Sequence, residues 1–210
     1  MCDYALNHAI SYDRIMIEKK DWRIIMALLA GEYQKTEKID GVIYNMSPSP
    51  NYLHGVVNGN IHTIIKNSLK DSLCLVFIEN LDFRYQPEVS DNYTIPDIMI
   101  VCDRNKIKGG CYTGVPKFIV ETLSPSTAMR DVAAKKDIYE TAGVLEYWIV
   151  SPRERGVQIY YLRDGKYVIE NSYILEDNKE DEHYNADIVI SLRAFPHIQM
   201  TLADIFEGVE

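Results

Sequence analysis

Two carboxylates stand where apolar side chains are expected. Asp97 falls within Thr94-Ile95-Pro96-Asp97-Ile98-Met99-Ile100-Val101, and Glu121 within Phe118-Ile119-Val120-Glu121-Thr122-Leu123; each interrupts a run that otherwise reads as a buried strand. Burying a carboxylate costs free energy unless a cation or hydrogen-bond donors receive it. Either one alone reads as an edge residue or the partner of an arginine, but two on successive strands point to a shared site. Divalent metal is the natural occupant, because carboxylate oxygens suit hard cations such as Mg²⁺ or Mn²⁺. The segment after Glu121 offers a cation of its own. Asp131, Lys135 and Tyr139 are four residues apart and stack on one helix face, from which Lys135 can reach back towards the strand ends. The plainer arrangement is a surface ion pair between Asp131 and Lys135.

These side chains need elements to hold them. The first twenty residues show no sustained period and read as an arm. Asp21 caps a short amphipathic helix through Trp22, Ile25, Met26 and Leu29, ending near Gly31. Asp40-Gly41 is a turn before a strand Val42 to Met46, and a second helix is expected from about His54 to Leu73. On that helix, which also presents Val57, Ile61 and Ile64, His54 reads as a capping or packing residue outside the catalytic set. Strands are expected over Cys74 to Glu79, Asp82 to Tyr85, Ile95 to Cys102 and Lys117 to Leu123. A third helix opens in Ser124-Pro125-Ser126-Thr127 and stops at Gly143. Glu146 to Val150, Gly156 to Leu162 and Tyr167 to Ser172 follow as strands, the last two joined by Asp164-Gly165, and the tail from Ile188 to Phe206 is a strand and a turn of helix. No repeat or linker divides the chain, so residues 21–210 read as one domain.

The composition, 47% hydrophobic and 25% charged, is that of a globular protein. The net charge of −9 argues against broad basic coating of nucleic acid, but seven acidic residues and one basic residue between Glu170 and Asp187 carry most of it, as expected of a solvated loop. The apolar run Ile24 to Ala30 is too short to span a bilayer, and charges are scattered through the first twenty residues. A cytoplasmic protein without a membrane partner is therefore expected. None of the four cysteines forms a C-x-x-C pair, and Cys74 and Cys102 read as small buried hydrophobes in a reducing compartment.

The run Pro116-Lys117-Phe118-Ile119-Val120-Glu121-Thr122-Leu123-Ser124-Pro125-Ser126-Thr127, followed by Asp131, Lys135, Tyr139 and Gly143-Val144-Leu145-Glu146-Tyr147-Trp148-Ile149-Val150, resembles the signature of the Uma-type endonuclease family. The likeness extends to Pro96-Asp97, Glu37-Lys38-Ile39-Asp40-Gly41, Met46-Ser47-Pro48-Ser49-Pro50, His54 and Leu202-Ala203-Asp204-Ile205-Phe206. That family belongs to the restriction-endonuclease-like PD-(D/E)-x-K superfamily. The resemblance implies an α/β fold with a mixed sheet flanked by helices and extra β-hairpins. It implies that Asp97 and Glu121 bind Mg²⁺ or Mn²⁺, that Lys135 is the superfamily lysine, and that Glu37 is an auxiliary acid. The implied activity is that of a Mg²⁺-dependent endodeoxyribonuclease, in which a metal-bound water attacks the phosphodiester and the lysine orients it. The alternative is a catalytically idle relative that binds nucleic acid or a protein. A homodimer is expected, since two symmetric copies are the simplest way to cut both strands of DNA. Two departures from the pattern stand out: Leu123 holds the place two residues after Glu121 where the superfamily keeps its lysine, and Val42 stands where a second acid often follows Asp-Gly.

Overall fold

The computed structural model describes residues 35–46, 52–124 and 129–210, apart from the side chains of 129–132. The expected arm, the helix after Asp21 and the turn at 47–51 lie outside the described residues.

The centre is a six-stranded sheet. In chain order its strands are β3 (Leu75–Ile78), β5 (Ile98–Val101), β8 (Phe118–Thr122), β9 (Glu146–Ser151), β10 (Gly156–Arg163) and β11 (Lys166–Ile174), and they lie in the spatial order β11-β10-β9-β8-β5-β3. Only β8 and β9 pair in parallel. Parallel neighbours need a crossover, and antiparallel ones can turn back directly. The crossover here is α2 (Met129–Ala142), so the segment carrying Lys135 must pass over the sheet beside Glu121. Three smaller units complete the fold: the hairpin β1 (Thr36–Ile39)–β2 (Val42–Asn45), the three-stranded β4 (Asp82–Phe83), β6 (Ile107–Lys108) and β7 (Cys111–Tyr112), and the hairpin β12 (Val189–Leu192)–β13 (Phe195–Thr201).

Strand alternation sends successive side chains to opposite faces of the sheet and so makes two apolar layers. Ile98, Ile100, Phe118, Val120, Trp148 and Val150 face α1 (Tyr52–Ser68), whose Val57, Ile61 and Ile65 are fully buried, and α3 (Leu202–Ile205) closes this layer. Met99, Val101, Ile119 and Tyr147 face the other way, against Tyr139 of α2, Phe83 and Tyr112. The Asp-Gly signals at 40–41 and 164–165 both form hairpin turns with positive φ at each residue, as two-residue loops of this kind require.

Four expectations are corrected. The helix from His54 ends at Ser68, because Leu69 makes its last backbone bond to Ile65 and Asp71 takes a left-handed φ of 65° that turns the chain into β3. Asp97 lies just before β5 and not inside a strand. The tail is a two-stranded hairpin and not one strand, closed by a turn at Arg193–Ala194. Cys74 and Cys102 are joined by a disulfide, since the antiparallel register Leu75↔Val101 sets the two cysteines opposite each other with Cα atoms 4.0 Å apart. Cysteine usage therefore gives no support to a reducing compartment. Among the described residues no helix is long and apolar enough to cross a membrane.

Glu146 ties the tail hairpin to the sheet. Fully buried, it accepts Trp148 Nε1–H at 2.8 Å on one oxygen and the Arg193 backbone N–H at 2.8 Å on the other. Burial outweighs these donors and pushes its carboxyl up to about 7. Because the folded value lies above the ordinary one, the fold favours the protonated form, and stability should fall as pH rises from about 4.5 to about 7. A shift of that size is worth at most about 3 kcal/mol. Denaturation at pH 5 and 8 should show wild type losing more stability than Glu146→Gln, by up to this amount, since Glu121 titrates in both; parallel pH profiles would refute it.

Candidate active site

The antiparallel register Ile98↔Val120 continues one step to bring Asp97 opposite Glu121, where β5 begins and β8 ends. The contact is direct: the Thr122 backbone N–H donates to Asp97 Oδ2 at 2.6 Å. Lys135 arrives from α2 with Tyr139 one turn further on, and Glu37 arrives from β1. Lys135 Nζ donates to both Glu121 oxygens, at 3.2 and 3.1 Å, and lies 2.8 Å from Glu37 Oε1. Tyr139 donates to Glu121 Oε1 at 2.6 Å, and Glu37 Oε1 also accepts the Ile95 backbone N–H at 2.8 Å. All four sequence-derived candidates, Glu37, Asp97, Glu121 and Lys135, are thus brought together, each 6–7% exposed. A surface location for Lys135 is ruled out by that burial. Leu123 packs against the apolar layer under α2, so position 123 serves the core while the helix carries the cation.

Two further residues join them. His54, near the start of α1, is 6% exposed, and its Nε2 is 3.1 Å from Asp97 Oδ2. Glu79, which directly follows β3, has its Oε1 3.5 Å from His54 Nδ1. One ligand atom from each of His54, Glu79 and Asp97 lies within 4.8 Å of the others. Glu79 holds a left-handed φ of 48°, a conformation costly for a residue with a Cβ, and its backbone N–H donates to Asp97 O at 3.0 Å. The sequence gives no sign of Glu79, because an acid at the end of an apolar strand resembles any solvated strand end. His54 was legible as a residue on the buried helix face, but its partner was not.

The electrostatics are lopsided. Glu37 and Glu121 pair with Lys135, Asp97 and Glu79 flank His54, and Glu79 also meets the partly exposed Lys35 at 3.4 Å. Burial pushes Glu121 up to about 8; Lys135 opposes this, while Asp97 and Glu37 add to it. Burial lowers Lys135, but Glu121, Glu37 and Asp97 together outweigh it and raise the ammonium above its ordinary value. His54 is likewise lowered by burial and raised on balance by Asp97, Glu79 and Glu121. Such a cluster is short of positive charge, and an oxygen-rich site of this kind fits a divalent cation.

A mixed sheet that presents two carboxylates at the ends of neighbouring strands, with a lysine delivered by the following crossover helix, defines a restriction-endonuclease-like α/β protein. Residues 25–202 match the Uma2 family, described as "putative restriction endonuclease", and the chain belongs to that family. An uncharacterised protein of Synechocystis sp. is 32% identical over 140 residues, which is 66% of this chain and 72% of that protein. The crystal structure of "a putative nuclease belonging to DUF820" from Anabaena variabilis has the same fold, with a TM-score of 0.63 at 18% identity over 84% of this chain and 92% of that one.

Proposed function

We propose that the protein is a divalent-cation-dependent endonuclease that hydrolyses phosphodiester bonds of DNA. The observation that supports this most is the gathering of Glu37, Asp97 and Glu121 around the buried Lys135, beside an Asp97 oxygen, Oδ1, to which no described residue gives a hydrogen bond. Asp97 and Glu121 would hold Mg²⁺ or Mn²⁺. When bound, the cation acidifies a water and neutralises charge on the scissile phosphate. Lys135, swung from Glu121 towards the substrate, orients the attacking water and stabilises charge that develops on the phosphoryl oxygens. Glu37 keeps hold of Lys135 as it moves, since it is the lysine's other buried partner. Tyr139 holds Glu121 by one oxygen and so limits its rotation.

A binding-only protein is the second reading, favoured by the grip of Lys135 on both oxygens of Glu121. Incubation with single- and double-stranded DNA in Mg²⁺ or Mn²⁺ distinguishes the two: cleavage is expected, and binding without cleavage would leave the second. We also propose a homodimer, as cutting both strands of a duplex suggests. Sedimentation as a monomer at micromolar concentration, with metal and DNA present, would remove the dimer.

A further inference from the structure

A histidine among carboxylates at a cation site is either a nitrogen ligand or a donor that holds a liganding carboxylate, and the two differ by one proton. A ligand presents a bare Nε2; a donor carries Nε2–H. The group beside the other ring nitrogen decides which applies. Asn58, wholly buried one turn further along α1, has its Nδ2 3.2 Å from His54 Nδ1 and 3.2 Å from Glu79 Oε1. An amide oxygen in that position would face the Glu79 carboxylate acceptor to acceptor, so the nitrogen must be there. On its other side, Asn58 Oδ1 accepts the Thr122 hydroxyl at 2.6 Å. The amide's hydrogens are thus offered to Glu79 and His54 Nδ1, so the neutral ring accepts at Nδ1 and keeps its proton on Nε2, aimed at Asp97 Oδ2, and a protonated ring presents the same Nε2–H.

We infer that His54 is a positioning residue for Asp97 and not a metal ligand, and that the cation site takes oxygen ligands only. The inference rests on the cation site proposed above. Asp97 Oδ2 is occupied by two donors, Thr122 N–H at 2.6 Å and His54 Nε2–H at 3.1 Å, which fix the carboxylate's rotation and leave Oδ1 for the cation. The chain of contacts is closed: Thr122 gives its backbone N–H to Asp97 and its hydroxyl to Asn58, which orients the histidine that returns to Asp97. An all-oxygen set of this kind favours Mg²⁺ and Mn²⁺ over Zn²⁺, which prefers nitrogen and sulfur.

The proton can be located without metal. Ring ¹⁵N shifts of His54 in the full metal-free chain should show Nε2 protonated, and a form protonated on Nδ1 alone would overturn the inference. Mn²⁺ titrations give the second readout. His54→Leu should weaken Mn²⁺ binding by roughly 10- to 100-fold, as loss of an outer-shell partner does, while His54→Gln, whose amide can still donate to Asp97, should stay within a few-fold of wild type. Unchanged affinity in His54→Leu overturns the inference. So does a nitrogen coupling in pulsed electron resonance of the Mn²⁺-loaded wild type that disappears in His54→Gln. A wild type that binds no Mn²⁺ instead overturns the cation site itself, and the ring-nitrogen result still decides which way the hydrogen bond runs.

Discussion

Asp97→Asn should abolish measurable binding of Mn²⁺ in calorimetry and slow DNA cleavage by about three orders of magnitude or more. A bound cation contributes several kcal/mol to such a reaction, and each 1.36 kcal/mol is a factor of ten in rate. Asparagine keeps the shape and an oxygen for the Thr122 N–H and His54, so the local fold should survive. Its metal-free melting temperature should equal or exceed that of wild type, because one of four crowded carboxylates becomes neutral. That stability measurement separates loss of chemistry from loss of structure. Cleavage at the wild-type rate in Asp97→Asn would refute the proposed site.

Removal of Lys135 should have two effects of different origin. Lys135→Met is expected to reduce the cleavage rate by about 10²–10³, the usual cost of deleting one donor to developing oxyanion charge. The structure adds a penalty that the sequence did not suggest. Glu37 and Glu121 both lean on this ammonium in a buried setting, and removing one partner of a buried ion pair costs about 3–5 kcal/mol. The metal-free variant should therefore melt well below wild type. Divalent cation should restore part of the loss, on the order of 2.7 kcal/mol at a hundred times its dissociation constant. Chemical denaturation with and without Mn²⁺ reads both quantities; a variant as stable as wild type without metal would show that the lysine bears no structural charge.

Much of this protein is written in local pattern. Asp40-Gly41 and Asp164-Gly165 specify their turns because few residues adopt positive φ twice in succession. Gly143 ends α2 with a φ of 83° for the same reason. The β5 and β8 runs are recognisable because strands with both faces covered are apolar throughout, and so Glu121, inside β8, and Asp97, at the mouth of β5, stand out as acids with no local reason to be there. The four-residue spacing of Lys135 and Tyr139 fixes a common helix face, though not what that face meets.

What that face meets required the tertiary structure. Whether Lys135 pairs with Asp131 or with Glu121 and Glu37 depends on where the crossover helix lands, which follows from the parallel pairing of β8 with β9. The Cys74–Cys102 bond depends on the register of β3 against β5, and no spacing along the chain encodes it. The Glu79–Asn58 and His54–Asp97 contacts are further cases, since their partners lie 21 and 43 positions apart in sequence. The sequence by itself determined the acids, the lysine, the turns and the alternation that builds two apolar layers, because those follow from neighbours within a few residues. The tertiary structure alone decided which oxygen of Asp97 the described residues hold, because that depends on hydrogen bonds among α1, β3, β5 and β8 that exist only once the sheet has closed.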